Sequence, residues 1–566
     1  MRMWILISLL AFNYTIKANP IADIKPAPTE FIILHNNDIH ARFEQTNKNG
    51  GTCSQKDESK DNCFGGFPRI AHEVRKYRED AKNGGIPVLF LNAGDIYSGT
   101  TWFSVFKDKI ASAFINKIQP DAMSLGNHEF DVDIKGLVPF LNDVSFPVLA
   151  ANVDISQEAD LVATNKLSNS TVLEVNGTKI GIIGYLTPKT KEDYIFKVEF
   201  HEEIVCINAE AKKLKEQGIN ILIALGHSGY LKDQEIARDC PDIDIVIGGH
   251  SHTFLDANQP VADKDDTNPE AVRGPYPTTV VQPSGKKVPV VQAFAYTKYL
   301  GKIHVQFDAE GNLIEINGSP ILLNASVPQD QDLLDLLDVY RPNVTASAQQ
   351  VIGHTKVFLE GGRICRLREC NLGNLIAESM VYARMMENKG AWTDWTDAPI
   401  ALIPGGGIRT SIYKNNEGTI SFRDMEETIP FENKLVMTRI TGKTLLNALE
   451  HSATVRNTDS NGGFLQFAGI RVEYDYAKEE GQRVTSALVR CGECTVPEYS
   501  NLNATAYYKV VVPNFILNGG DGYTLTESVD PVTELLEKDD KGALQQYLES
   551  HSVVYPEVDG RIVIKY

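Results

Sequence analysis

Five short hydrophobic runs in the first half of the chain each end in polar side chains that can bind metal ions. The runs occupy residues 31–40, 88–95, 122–131, 221–228 and 243–252. Continuous stretches of Val, Ile and Leu are typical of strands covered on both faces, as in parallel sheets flanked by helices. Ligands of such sheets bind beyond the carboxyl ends of the strands. The pattern therefore predicts an α/β domain with a binding site at these strand ends.

Helical patterns lie between the hydrophobic runs. One covers residues 68–82 and is followed by Gly84, and another covers residues 203–217 and is followed by Gly218. Glycine just beyond a periodic segment is typical of helix ends. Because strands alternate with helices, the pattern indicates βαβ units whose helices cover the sheet.

The length of 566 residues is too great for a single hydrophobic core, so two large domains are expected. A leucine-rich acidic segment at 328–340, which Arg341-Pro342 follows, predicts a linker helix. Glycine-rich loops at 405–407 and 518–522 belong to a second α/β region. The expected divisions are a signal peptide at 1–18, an N-terminal domain at 29–326, the linker helix at 327–349 and a C-terminal domain at 350–562.

The N-terminus has the features of a signal peptide. Arg2 precedes an apolar stretch from Trp4 to Phe12, and the small residue Ala18 is a candidate cleavage site. The alternative is a membrane anchor, but the stretch is much shorter than the ~20 residues that span a bilayer. The chain also ends without the apolar tail of a GPI signal. We therefore expect a secreted, extracellular protein with no membrane anchor.

The charge balance narrows the range of partners. The chain has 55 Lys and Arg residues against 74 Asp and Glu residues, a net charge of −19. This field repels polyanions, so nucleic acids and acidic membranes are not expected partners. A small anionic substrate is still compatible, because bound metal ions dominate the local charge of a site.

The eight cysteines fall into local pairs, which are Cys53/Cys63, Cys206/Cys240, Cys365/Cys370 and Cys491/Cys494. In an oxidising compartment these pairs predict four short disulfides. A redox motif at the last pair is the alternative, but it lacks a thioredoxin-like βαβ context. A glycosylated secreted protein is consistent with sequons at Asn169, Asn176, Asn324, Asn343 and Asn503.

Seven oxygen and nitrogen donors at the strand ends predict two divalent cations. They are Asp38, His40, Asp95, Asn127, His227, His250 and His252. Asp95 is the natural bridging ligand, because a carboxylate has two oxygens, and Gly94 before it allows close approach. A set of oxygen and nitrogen donors without a thiolate suits two divalent cations, each with a coordination position left open for water or substrate. Since paired cations activate water and bind both reacting oxygens of a phosphoryl group, we expect hydrolysis of a phosphoester or phosphoanhydride.

His128 and Asp131 are the expected catalytic pair. A carboxylate beside a histidine can hold the imidazole in its charged form, which would stabilise the phosphoryl group or protonate the leaving group. The alternative is a core histidine with a helix-capping aspartate. Their position in GNHEFD at 126–131, at the end of a buried strand, favours catalysis.

These motifs resemble those of the 5′-nucleotidase family. GNHEFD stands with D-x-H, G-D, G-H-S and G-G-H-S-H elements in the order typical of the family's calcineurin-like metallophosphoesterase domain. The second half is similar to the family's C-terminal nucleotide-binding domain, so the resemblance covers essentially the whole mature chain. It extends to animal ecto-5′-nucleotidases and to secreted salivary apyrases of blood-feeding arthropods. It implies an α/β fold with a four-layer α/β/β/α N-terminal domain, a linker helix and a C-terminal α/β substrate-binding domain.

The resemblance also implies roles for single residues. One metal is assigned to Asp38, His40, Asp95 and His252, and the other to Asp95, Asn127, His227 and His250, with His128 and Asp131 as the catalytic pair. An imidazole at His252, often an amide in vertebrate members, favours zinc, with calcium, magnesium and manganese as alternatives. The implied nucleotide contacts are Asn127, Arg366, Arg409, Phe431, Asn514, Phe515 and Asp521. Without the resemblance, the two phenylalanines would be interpreted as core residues.

Pro404 departs from the family pattern. The family commonly has Asn before the glycine loop, where it can hydrogen-bond the base, and proline cannot do so. Without this hydrogen bond, the base should be recognised less selectively. This favours our first hypothesis, a secreted apyrase that hydrolyses ATP and ADP to AMP. Such activity would remove the platelet-activating signal if the source feeds on blood. The alternatives are a 5′-nucleotidase that converts AMP to adenosine, and a non-catalytic secreted binding protein, against which the complete set of metal and catalytic residues argues.

Overall fold

The computed structural model describes residues 28–190, 197–263, 266–387, 395–413, 417–456, 462–526 and 533–566. The predicted signal peptide lies outside the described residues. Within them the chain forms two α/β domains, and no helix combines the length and the hydropathy needed to cross a membrane.

Two large sheets form the N-terminal domain. The first has the order Leu313–Gly318, Tyr299–Phe307, Thr29–Asn36, Val88–Asn92, Ala122–Ser124, Val148–Leu149 and Leu167–Ser168, with Ile321–Leu322 paired to the second of these. The second sheet has the order Thr278–Val281, Lys287–Val291, Ile245–Ile247, Ile221–His227, Thr178–Leu186 and Ser170–Val175. Helices occupy Gln55–Glu58, Phe67–Lys82, Thr101–Phe106, Asp108–Ile118, Asp133–Asp143, Ala159–Thr164, Glu203–Glu216 and Tyr230–Asp239.

The two sheets pack face to face, and helices cover their outer surfaces. In the strand Thr178–Leu186, a Cβ on Gly184 would meet Leu149 of the first sheet, whereas one on Gly181 would meet Leu214 of a covering helix. Phe90, in the first sheet, belongs to the hydrophobic core between this sheet and the helices that cover its other face. The expected four-layer α/β/β/α arrangement is confirmed.

The five hydrophobic runs contribute strands to both sheets. Thr29–Asn36, Val88–Asn92 and Ala122–Ser124 are parallel neighbours in the first sheet, and Ile221–His227 and Ile245–Ile247 are parallel neighbours in the second. Stacking of the two sheets brings the carboxyl ends of both sets of strands together. His227, the last residue of Ile221–His227, is hydrogen-bonded to Ala93, which follows Val88–Asn92. The side chains after the strands therefore converge from two sheets.

A helix at Gln331–Ala348 connects the domains. It lies inside the range 327–349 expected for the linker helix, and it continues through Pro342. Proline inside a helix costs about 3 kcal/mol. Here Leu333 and Val344, on either side of it, are buried in the helical core of the N-terminal domain, and this burial offsets the cost.

Two further sheets form the C-terminal domain. One has the order Leu465–Ala468, Ile400–Pro404, Tyr507–Pro513, Lys434–Thr441 and Thr533–Asp539, and the other has the order Tyr499–Asn501, Val484–Arg490, Ile470–Asp475 and Ile562–Lys565. The helices are Asn371–Glu387, Phe422–Thr428, Gly442–Val455, Asn514–Leu517 and Asp540–Ser550. Short 3₁₀ turns carry the glycine loops at Gly405–Gly407 and Gly520–Gly522.

Three of the four predicted disulfides are present, joining Cys53 to Cys63, Cys365 to Cys370 and Cys491 to Cys494. The fourth prediction is wrong, because Cys206 and Cys240 are free thiols. The three bonded pairs are at most 10 residues apart, whereas Cys206 lies on one helix and Cys240 follows another.

Candidate metal centre and nucleotide cleft

Five of the predicted metal ligands have a left-handed backbone conformation. The φ angles are 51° at Asp38, 48° at His40, 59° at Asp95, 76° at His250 and 53° at His252. Each such residue costs on the order of 1–3 kcal/mol and persists only where its surroundings hold it. Since the strained positions coincide with the strand ends, the strain indicates a functional site there.

Glu129, which the sequence analysis did not single out, holds the Asp95 turn in place. Its buried carboxylate accepts backbone N–H groups from Asp95 at 2.9 Å, Ile96 at 2.7 Å, Tyr97 at 3.3 Å and Gly126 at 2.6 Å. Burial and the neighbouring Asp95 carboxylate raise the pKa of Glu129 to about 7. The sequence signal for this role was a glutamate within a motif that follows a buried strand. A buried carboxylate requires several hydrogen-bond donors, so such a glutamate is expected to organise the surrounding backbone.

Asp38, His40 and His252 form one group of potential ligands. His252 Nε2 lies 3.2 Å from Asp38 Oδ1 and 3.0 Å from His40 Nε2. Asn37 donates to Asp38 Oδ2 at 2.6 Å, which fixes the carboxylate. These are three of the four residues that the resemblance assigns to one metal.

Asp95 and His227 belong to a second group, which also includes Asp38. His227 Nε2 lies 2.9 Å from Asp95 Oδ2, and Asn127 Oδ1 lies 3.1 Å from His250 Nδ1. Asp95 Oδ2 is also 3.6 Å from His40 Nε2. The bridging position predicted for Asp95 is therefore consistent with its distances to both groups.

The predicted histidine ligands differ in protonation, since the carboxylates of Asp95 and Asp38 outweigh burial and raise the pKa of His227 to about 10, so this imidazole must lose a proton when a metal binds. His227 Nδ1 is engaged with the carbonyl of Ala93 at 2.6 Å, so the buried Nε2, 2.9 Å from Asp95 Oδ2, is the atom that can bind a metal. This is the usual arrangement of a metal-ligating histidine. Burial lowers the pKa of His250 to about 3 and that of His252 to about 4, so both imidazoles are neutral and have a free lone pair. The residues present fit a pair of divalent cations.

His128 and Asp131 are paired as expected. His128 Nδ1 lies 3.0 Å from Asp131 Oδ2, and the His128 backbone N–H donates to Asp95 Oδ1 at 3.0 Å. Burial disfavours the charged imidazole, but the carboxylates of Asp131 and Asp95 outweigh it and raise the pKa of His128 to about 9. His128 also forms a potential ligand group with His40 and Asp95. Geometry alone is thus compatible with a catalytic or a ligand role.

A cleft of about 350 Å³ between the domains joins this centre to the C-terminal domain. Most of the predicted site residues line it, namely Asp95, Asn127, His128, Asp131, His250, His252, Arg366, Arg409, Phe431, Asn514, Phe515 and Asp521. The other three, Asp38, His40 and His227, are buried. The structure therefore brings the predicted residues of both domains to one place.

The C-terminal domain contacts the potential metal ligands directly. Arg409 Nη2 lies 2.9 Å from His40 Nε2 and 3.3 Å from His252 Nε2. The ring of Phe431 stacks on His128, with centroids 4.9 Å apart and an angle of 7° between the planes. These contacts place a guanidinium group and an aromatic ring beside the candidate catalytic residue.

Other cleft residues were not predicted. Lys189 and Thr187 come from the N-terminal domain, and Lys434 from the C-terminal domain. Burial raises the pKa of Asp521, while the charges of Arg366 and Lys189 oppose the increase. Lys189 and Asp521 thus interact across the cleft, which no local sequence pattern could reveal.

Comparisons with known proteins agree with this architecture. Residues 31–254 match the family model of calcineurin-like phosphoesterases, and residues 351–528 match that of the 5′-nucleotidase C-terminal domain. The protein named 5NUC of Lutzomyia longipalpis is 44% identical over 94% of this chain and 93% of its own length. The 5′-nucleotidase of Homo sapiens is 38% identical over 94% of this chain and 90% of its own length.

Among solved structures, the chain is similar to a 5′-nucleotidase precursor from Thermus thermophilus. The TM-score is 0.82 and the identity 33%, with 95% of this chain and 99% of the other covered. Calcineurin-like phosphoesterases bind a divalent metal pair, for which the centre described above has suitable ligands. The chain belongs to the 5′-nucleotidase family of metal-dependent nucleotide hydrolases.

Proposed function

We propose that this protein is a secreted 5′-nucleotidase that hydrolyses AMP to adenosine and phosphate. The observation that carries the proposal is the single cleft in which the metal-binding centre and His128 face Arg366, Arg409 and Phe515 of the other domain. Relatives that match nearly the whole chain are named 5′-nucleotidases. The predicted signal peptide and the three disulfides support secretion.

The chain's residues have distinct tasks in this reaction. Bound divalent cations would activate water and neutralise phosphate charge. His128 has Nδ1 engaged by Asp131, so its Nε2 is the atom that can donate a proton to the leaving oxygen or a hydrogen bond to the phosphoryl group. Arg366 and Arg409 line the cleft beside it and suit the binding of phosphate oxygens.

We propose zinc as the metal. Three of the four predicted ligand histidines, His40, His227 and His252, belong with the carboxylates to nitrogen- and oxygen-rich ligand groups that contain no thiolate. Imidazole donors suit zinc better than calcium or magnesium, which prefer oxygen donors. Calcium, magnesium and manganese are the alternatives that metal analysis of the purified protein would distinguish.

An apyrase is the second candidate function, and Pro404 favours it. Pro404 lines the cleft and offers no donor to a base. Lys189 and Lys434 add positive charge beyond the two arginines, where longer phosphate chains would benefit from it. An enzyme with this cleft could accept ADP and ATP.

The two candidates make different predictions for phosphate release from AMP, ADP and ATP by the purified protein. A 5′-nucleotidase should act on AMP with the highest kcat/KM, and chelation should stop the reaction until a divalent metal is returned. Activity on AMP alone would exclude the apyrase. Activity on ADP and ATP with none on AMP would exclude the 5′-nucleotidase.

Replacing Phe515 by alanine should weaken nucleotide binding. The ring lines the cleft and packs against Gly520, where a Cβ would lie 2.6 Å from it. Base stacking contributes about 1–3 kcal/mol, so KM for AMP should rise about 5- to 150-fold. Ribose 5-phosphate, which has no base, is the control substrate, and its KM should stay unchanged. An equal increase of KM for both would mean that Phe515 does not contact the base.

A further inference from the structure

A second cavity of about 240 Å³ adjoins the metal centre. His252, Arg366 and Arg409 line both this cavity and the nucleotide cleft, so they form the wall between the two. Tyr296 also lines the second cavity, and its ring lies 5.2 Å from that of His252. The centre is therefore bordered by two separate spaces, and the proposed function uses only one.

The two spaces differ in charge. Among the described residues that line the second cavity, the cations are Lys48, Lys298, Arg363, Arg366 and Arg409, and the only acidic side chain is Glu360. Lys298 is paired with Glu270, which does not line the cavity. The nucleotide cleft has nearly balanced charges, since its cations face Asp95, Asp131, Glu432, Asp521 and Asp540. In a chain with a net charge of −19, the second cavity is a local basic site for a small anion.

The second cavity also opens to solvent. Phe358 and Tyr413 line it with rings 5.0 Å apart, and their exposed fractions are 40% and 43%. Backbone groups of Gly361 and Gly362 and the hydroxyl residue Ser411 complete a polar wall. An anion held by the shared arginines therefore lies next to a second space that is open to solvent, besides the nucleotide cleft.

We propose that the second cavity is the exit route for inorganic phosphate. The inference rests on the proposed function, because hydrolysis leaves phosphate at the metal centre while the nucleoside still fills the cleft. Phosphate would pass from Arg366 and Arg409 to Arg363 and Lys48, and leave past Phe358. Release of the two products then needs no fixed order.

Two variants test the route without touching the nucleotide cleft. Asn49→Trp places a large side chain in the second cavity, and Arg363→Glu reverses a charge that lines only this cavity. Asn62→Trp and Arg368→Glu are the matched controls, because both residues are exposed and line neither space. The two test variants act through different physical effects, so a folding defect in one leaves the other informative.

The measurement compares bond cleavage by rapid quench with free phosphate detected by a fluorescent phosphate sensor, using the metal-loaded enzyme and AMP. We expect both test variants to cleave at a rate within about twofold of the unaltered enzyme but to release phosphate about tenfold more slowly. The controls should show neither change. Unchanged release in both test variants, or cleavage that slows in parallel with release, would refute the exit route. Absence of cleavage by the unaltered enzyme would refute the proposed function and this inference with it.

Discussion

Asp95→Asn is expected to lower turnover by about 10⁴-fold and to reduce the metal content of the purified protein. The Asp95 carboxylate lies 2.9 Å from His227 Nε2 and 3.6 Å from His40 Nε2, so it is close to a histidine of each of the two ligand groups. The histidines around it hold its pKa well below the usual range despite burial, which keeps it charged. An amide of the same size would remove the negative charge with which Asp95 would hold the cations. Mass spectrometry of the metals and phosphate release measure the two effects.

Asp244→Asn is the matched control for this substitution. Asp244 is also buried, but it precedes the strand Ile245–Ile247 and is therefore at the opposite end from the site. It should retain two metal ions per chain and the activity of the unaltered protein. If Asp95→Asn retains both ions and full turnover, the shared-carboxylate arrangement is wrong.

Much of the metal centre could be predicted from the sequence because its geometry is local. Each ligand follows a hydrophobic strand by one or a few residues, and the carboxyl ends of packed parallel strands meet. The hydrogen bond from His227 to Ala93 shows why strands of two different sheets still share one site. Hydrophobic patterning determines the strands, and strand packing then determines where Asp38 and Asp95 lie.

The remaining features depend on contacts between distant parts of the chain. Arg409 reaches His40 across the domain boundary, and no local pattern encodes that distance. The wrong disulfide prediction has the same origin, since the orientation of Cys206 relative to Cys240 depends on how two helices pack. The helix through Pro342 shows tertiary burial overriding a local preference.

His128→Ala is expected to lower turnover by about 10²–10⁴-fold while both metal ions stay bound. Asp131 fixes Nδ1 at 3.0 Å and supports the charged imidazole, which alanine cannot replace. Because the ring also stacks on Phe431, His128→Gln should accompany it as a variant that better preserves the packing. Metal content and kcat are measured on the same preparations.

Asp131→Asn separates the two roles that geometry allows for His128. If His128 is the catalyst, loss of the Asp131 charge should lower kcat, because the imidazolium loses its stabilising partner, and should leave the metals bound. If His128 is instead a ligand with His40 and Asp95, both His128 variants should lose metal in proportion to activity. In that case the Asp131 carboxylate would orient the imidazole and increase its basicity as a ligand, so Asp131→Asn would weaken metal binding by about 10- to 100-fold. Metal that stays bound while kcat falls in Asp131→Asn therefore indicates a catalyst, and loss of metal in this variant indicates a ligand.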